Sequence, residues 1–129
     1  MKIETIEDIQ NFEKIQTQLI SLHGELSLLS KKAPNDSVNI FKLKLINTVI
    51  SKANDILENE NLPFDDFNQF DVEEIPSNSD VVLVLGQYIN CLDERKITRI
   101  IRVVTGYWYW RLNGEKTEIV TSEPKKVNK

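Results

Sequence analysis

From Phe12 to Leu29 the apolar residues recur in alternating steps of three and four: Phe12, Ile15, Leu19, Leu22, Leu26 and Leu29. That spacing draws one stripe down a helix. Ile6 and Ile9 extend it towards the N-terminus, so the pattern predicts a helix over residues 4–33. Thr5 and Asp8 have the spacing of a capping box whose acid is Asp. Gly24 interrupts the helix at a cost of about 1 kcal/mol relative to Ala, and leaves room for a neighbouring helix. Lys31 and Lys32 suit the negative end of the helix dipole, and Pro34 closes it.

A second helix is predicted from an N-cap at Asn35 or Asp36 to about Glu60. It carries two adjacent apolar stripes. Val38, Phe41, Leu45, Val49, Ala53 and Ile56 form one, and Ile40, Leu43, Ile46, Ile50 and Leu57 the other. A helix apolar over more than half its circumference is covered on two sides. It is therefore expected as the central helix of a bundle, or as the helix carrying an oligomer interface.

Residues 61–78 break the periodicity. The stretch LPFDDFNQF places Phe64, Phe67 and Phe70 three apart, which suits a short 3₁₀ or helical turn pinned to a core. The connection is long for a compact bundle, so it reads as a structured crossover or a functional loop. Ser77 and Ser79 are both good N-caps, and Asp80 favours the first turn of a third helix. Val82, Leu85, Ile89 and Leu92 share a face of that helix. The apolar pattern resumes out of register at Ile97, Ile100, Ile101 and Val104, predicting a kink or break near 93–96.

At the C-terminal end the period changes to two. Asn113-Gly114 between β-forming runs is a hairpin signal. A two-residue turn pairs Leu112 with Glu115, Arg111 with Lys116, Trp110 with Thr117, Tyr109 with Glu118, Trp108 with Ile119 and Tyr107 with Val120. The Trp face is the more apolar and is expected against the helices, the Tyr face against water. The expected fold is thus mainly α: a three-helix up-down-up bundle with the third helix kinked or split. A small C-terminal β-hairpin packs on it. Residues 1–122 form one domain with its hairpin at about 105–121, and residues 123–129 a flexible basic tail.

Composition narrows the chemistry. The 129 residues include one Cys, one His, four Gly and four Pro. Such usage leaves no disulfide framework and no Cys- or His-rich metal site. The N-terminus, MKIETIEDIQ, has no apolar core behind it, so no signal peptide is expected. The longest apolar run, Val81–Leu85, is far short of the ~20 residues a membrane helix needs. A cytoplasmic protein with no membrane contact is expected, with Cys91 a reduced core thiol. His23 reads as a boundary residue of the first helix, not as a partner for Cys91. Phosphate-binding glycine loops, HExxH, CxxC, GxSxG and calcium-loop patterns are all missing from the sequence. No catalytic residue, resident metal or cofactor is assigned.

Charge adds a polarity that the net value of −4 conceals. Seven basic and fourteen acidic residues precede Ser79, net −7; nine basic and six acidic follow it, net +3. Asp65, Asp66, Asp71, Glu73 and Glu74 crowd the crossover, and no Lys or Arg lies between Ala53 and Glu94. Arg95, Lys96, Arg99, Arg102 and Arg111 follow, interleaved with Tyr107, Trp108, Tyr109 and Trp110. If 95–104 were helical, Arg95, Arg99 and Arg102 would share one face.

The reading that fits these features is a non-enzymatic helical protein–protein interaction or regulatory module that self-associates or takes another protein. Arg95, Arg99, Arg102, Tyr107, Tyr109 and Arg111 stand as one candidate partner surface. Asp65, Asp66, Asp71, Glu73 and Glu74 stand as the other. In a symmetric dimer the acidic region of one chain would meet the basic region of its mate. An alternative is a nucleic-acid-binding protein using the Arg/Trp surface, since aromatic faces beside guanidinium groups stack on single strands. A second alternative is a small metal-dependent enzyme at the acidic cluster, carboxylates being suited to Mg²⁺ or Ca²⁺.

Overall fold

A computed structural model describes residues 1–124; of the expected basic tail, residues 125–129 lie outside the described residues. Three helices, α1 (Ile6–Lys32), α2 (Ile40–Ile56) and α3 (Asn78–Ile97), precede three strands. These are β1 (Ile100–Arg102), β2 (Trp108–Leu112) and β3 (Glu115–Thr121).

Helix α1 follows its stripe. Ile9, Phe12, Ile15, Leu19 and Leu26 are buried, with Leu22 and Leu29 partly so. The capping box forms as the spacing predicts. The Thr5 hydroxyl accepts from the Asp8 amide at 3.1 Å, and the Asp8 carboxylate accepts from the Thr5 amide at 3.1 Å. Amide bonds, that of Glu4 foremost, hold the Asp8 carboxyl below its ordinary range, although its partial desolvation opposes them. The helix runs through Gly24 unbroken, and a Cβ there would meet nothing within 4 Å. No neighbouring helix uses the space.

Helix α2 is shorter than its pattern at both ends. The N-cap is Asn39, whose side chain accepts from the amides of Phe41 at 2.9 Å and Lys42 at 3.2 Å. Residues 36–38 are instead claimed by the segment preceding α3. The Val38 amide donates to Pro76 O, the Asn78 amide donates to Asp36 O, and Ser37 bridges Ser77. At the other end, Glu58, Asn59 and Asn61 take left-handed backbone angles. The Asn59 amide closes back on Asn54 O at 2.9 Å, a helix-terminating bond.

That clamp corrects the expected up-down-up order. It sets the starts of α2 and α3 side by side at the end where α1 finishes, with Asn78 Nδ2 donating to Ala33 O at 2.8 Å. Further along, Gln16 meets Asp93, Lys42 meets Glu25, and Tyr88 meets Asn54. Helices α2 and α3 therefore run parallel, and α1 runs antiparallel to both. The crossover (residues 57–77) has to climb back along α2, which is about 25 Å long at 1.5 Å per residue. Its length is thus an architectural need. It is a structured connection in which the expected 3₁₀ or helical turn is reduced to a single turn at residues 65–66, and side chains pin it to the helices. Asn47 bonds both backbone groups of Phe70 at 2.8 Å, Asn54 donates to Asn68 O, and Phe64, Phe67 and Phe70 meet edge to face.

The helix shared by the bundle is α1, which packs on α3 and on α2. This corrects the expectation that α2 is central and covered on two sides. Leu43, Ile46, Ile50 and Ala53 of α2 are fully buried, while Phe41 and Leu45 stand 67% and 46% exposed.

Helix α3 starts on the Ser77–Asp80 capping box and runs as one element to Ile97, without the expected break. Beyond Ile97 the resumed apolar run is not helical. Ile100, Ile101 and Val103 are β-branched, and their stiff χ1 angles suit a pleated strand. Ile100–Arg102 pairs antiparallel with β2, so the expected hairpin is a three-stranded sheet ordered β1-β2-β3. Asn113 and Gly114 both have positive φ, as the Asn-Gly turn requires. Near the turn, Leu112 faces Glu115 and Arg111 faces Lys116, as expected. Beyond it the register slips by two, and Tyr109 faces Val120 and Trp108 faces Thr121. Thr117 causes the slip: its hydroxyl donates to Trp110 O at 2.8 Å and accepts from the Ile119 amide at 3.1 Å. One side chain thereby takes over the ladder bonds of a strand partner.

Tyr88 lies at the centre of the three helices, its hydroxyl donating to Asn54 Oδ1 at 2.7 Å. Burial pushes it up from 10.0 to about 12. Between those values the unfolded chain ionises this tyrosine and the folded one does not, so its contribution is complete below pH 10 and lost on rising to 12. The wild type should shed about 2–3 kcal/mol more than Tyr88→Phe across that window. Urea midpoints of both proteins at pH 9 and pH 12 measure the difference, and parallel losses would contradict it.

Candidate functional site

The basic segment is spent largely inside the fold. Arg95 leaves α3 to donate to Asn61 O at 2.9 Å. Arg99 donates to Arg95 O at 2.7 Å and to Met1 O at 2.8 Å, and Arg111 donates to Thr98 O at 2.7 Å. Guanidinium groups thus cap the last carbonyls of α3, where a helix end favours cations. Burial, and then the charge of Arg95, lowers the proton affinity of Arg99. Because Arg99 lies in the turn after α3 and Arg102 in β1, the shared helical face does not form. Of the candidate basic and aromatic residues, Arg102 and Tyr107 remain exposed. Tyr109 carries the Lys116 ammonium 4.3 Å from its ring centre. Trp110 is core, 0% exposed and edge-on to Phe12 at 5.2 Å, and Trp108 is half-buried beside the core.

Lys96 departs furthest from its sequence reading. It is 0% exposed. Its ammonium donates to Ser122 Oγ at 3.0 Å and to Gln16 Oε1 at 3.4 Å, and Gln16 Nε2 donates to Asp93 Oδ1 at 3.0 Å. Glu13 Oε1 accepts from Trp110 Nε1 at 2.8 Å and from the Thr121 hydroxyl at 2.6 Å. Desolvation lowers the proton affinity of Lys96, and the charges of Glu13 and Asp93 oppose it. A polar network so placed ties the sheet to α1 and α3. Its signal was present in the spacing: Lys96 continues the stripe Leu85, Ile89, Leu92, and Gln16 sits between Phe12 and Leu19.

Cys91 and His23 have different neighbours. His23 lies against Gly86, and the Cys91 thiol donates towards Asn61 O at 3.7 Å, its proton held more tightly chiefly because of burial.

The acidic residues stay on the surface. Asp65, Asp66, Asp71, Glu73 and Glu74 are exposed. Asp71 accepts from the Glu73 amide at 2.8 Å. Among the described residues the ion pairs are Glu25–Lys42, Glu118–Lys116 and Glu58 with the amino terminus, and none joins the acidic crossover to the basic segment. No group of three or more His, Cys, Asp or Glu among the described residues is arranged to hold a metal ion. Nor is any helix among them long and apolar enough to cross a membrane.

Of the concave surfaces among the described residues, two have mainly apolar linings that include apolar helix residues. One is a hollow of ≈ 590 Å³ between the crossover and α3, lined by Pro63, Phe64, Asp65, Asp66, Phe67, Leu83 and Val84. The other is a groove of ≈ 370 Å³ between α1 and α2, lined by Gln18, Ser21, Leu22, Leu45, Thr48, Val49 and Lys52. Within that groove Gln18 Oε1 is a buried acceptor without a hydrogen-bond partner. The Glu25–Lys42 pair spans the same two helices one turn further on. The doubled apolar pattern of α2 signalled this groove, whereas nothing in the sequence located the hollow. Comparison with protein-family models, with curated proteins and with solved structures found no match to this chain.

Proposed function

We propose that the protein is a non-enzymatic interaction module that self-associates through the α1/α2 groove, with a second copy as the occupant. The observation that carries this reading is the uncovered apolar face of α2 beside a buried acceptor that lacks a donor. Phe41 and Leu45 are one turn apart on one face, and Leu22 and Val49 line the groove next to them. Closing two such antiparallel helix pairs face to face makes a four-helix arrangement, a packing with well-defined helix crossings.

The surface is also self-complementary, as a two-fold interface must be. Glu25 lies at one end of the groove and Lys52 at the other. A two-fold axis beside Thr48 sets Lys52 of each copy at the Glu25 end of its mate. The same closure offers hydroxyl or ammonium donors to Gln18 Oε1, whose isolation in the monomer costs about 1–3 kcal/mol.

This interface replaces the expected pairing of acidic and basic regions, because Arg95, Arg99 and Arg111 already serve backbone carbonyls. The two arrangements differ in salt dependence. An apolar groove keeps the dimer in about 1 M salt, where exposed charge pairing is screened. Sedimentation velocity at micromolar concentration should give a dimer at low and high salt. Leu45→Glu, which buries a carboxylate beside the axis, should weaken it at least about tenfold. A wild type that stays monomeric would overturn the proposal.

A further inference from the structure

The hollow between the crossover and α3 has a different character, and we infer that it is a docking site for a basic amphipathic helical segment of another protein. Its floor is apolar. Phe64 and Phe67 are half-buried, Val84 is buried, and Leu83 stands 59% exposed although it sits mid-helix beside them. Asp65 and Asp66 line the same hollow, both exposed and outside the ion pairs of the described residues.

Charge specifies the occupant. No Lys or Arg occurs between Ala53 and Glu94, so neither the crossover nor the first four turns of α3 bring a cation to this rim. The nearest arginine on α3, Arg95, is engaged with Asn61 O. An apolar floor under an uncompensated acidic rim fits a leucine-type anchor flanked by Lys or Arg, the helix-in-groove mode of recognition. The site is also preformed. Asn47 grips Phe70 through both backbone groups, Asn54 holds Asn68, and Phe67 stacks edge-on between Phe64 and Phe70 at 6.1 and 4.9 Å. A rigid rim spares the ordering cost that binding otherwise imposes.

The test uses the full chain and a fluorescent synthetic helix of leucine and lysine in amphipathic order, about four turns long. Anisotropy should show saturable binding to the wild type, and none to the same helix with glutamate in place of lysine. Asp65→Asn with Asp66→Asn should weaken binding about tenfold, and Leu83→Ser, at an exposed position, by a similar factor. Glu73→Gln with Glu74→Gln removes equal charge from the same segment outside the hollow and should leave affinity within about twofold. Leu45→Glu should bind the helix as the wild type does, so the result stands apart from the dimer. Equal weakening by both charge pairs would mean general attraction to an acidic protein and would overturn the inference. So would indifference to Leu83→Ser, or sedimentation showing that Leu83→Ser dissolves the dimer, which would seat a second copy in the hollow.

Discussion

Replacing Trp110 with alanine should cost about 3–5 kcal/mol of stability. The indole is the largest fully buried side chain, meets Phe12 edge to face at 5.2 Å, and satisfies its N–H on Glu13 at 2.8 Å. Its removal opens a cavity where the middle strand meets Phe12 of α1, and leaves a carboxylate oxygen short of a donor. Domains of this size hold about 5–15 kcal/mol in total, so the urea midpoint should fall by about a fifth or more. A loss below about 1 kcal/mol would mean that the indole is not part of the core. Such a result would restore the aromatic run to the surface, where a nucleic-acid platform needs it.

Glu13→Ala should be almost as severe, for an electrostatic reason. One oxygen of Glu13 receives both the Trp110 N–H and the Thr121 hydroxyl, and the carboxylate charge favours the buried ammonium of Lys96. Truncation orphans two buried donors and weakens the compensation of a buried cation, together about 3–5 kcal/mol. Lys96→Met on that background removes the cation and should recover about 1–2 kcal/mol. The corresponding double-mutant cycle should show a coupling above about 1 kcal/mol. Additivity within about 0.3 kcal/mol would mean that Glu13 acts only through its hydrogen bonds.

How much of this was legible depends on whether local pattern or tertiary contact decides each element. Helix α1 was legible because its stripe and its Thr5–Asp8 box agree. The start of α2 was not. Asn35, Asp36 and Asn39 are all competent caps, and the choice falls to Asn39 because Ser37 and Val38 are held by the strand-like segment before α3. The direction of α3 was hidden for a related reason: a connection of this length can turn back or climb, and Asn47 and Asn54 make it climb. Ile97, Ile100, Ile101 and Val104 fit a helical spacing, yet only Ile97 is helical, and pairing with β2 put Ile100 and Ile101 in a strand. The Asn113–Gly114 turn was legible, but its register was not, since the Thr117 hydroxyl substitutes for a ladder partner.

The candidate surfaces divide in the same way. Excess apolar surface on α2 is a property of the helix alone and was legible. The duty of the arginines was not, because a guanidinium on an exposed helix face and one capping a carbonyl have the same spacing in sequence. Lys96 sat in a charged run, Asp93–Lys96, that reads as solvated, and only its place on the Leu85–Ile89–Leu92 stripe marked it as buried.

In the proposed dimer two copies close their α1/α2 grooves about an axis beside Thr48. With Cys91 replaced by alanine and Thr48 by cysteine, a spin label at position 48 reads this directly. Facing helices lie about 8–10 Å apart, so labels on the two copies should show strong dipolar coupling, and Leu45→Glu should abolish it. Uncoupled labels in a sample that sediments as a dimer would put the interface elsewhere and contradict the account.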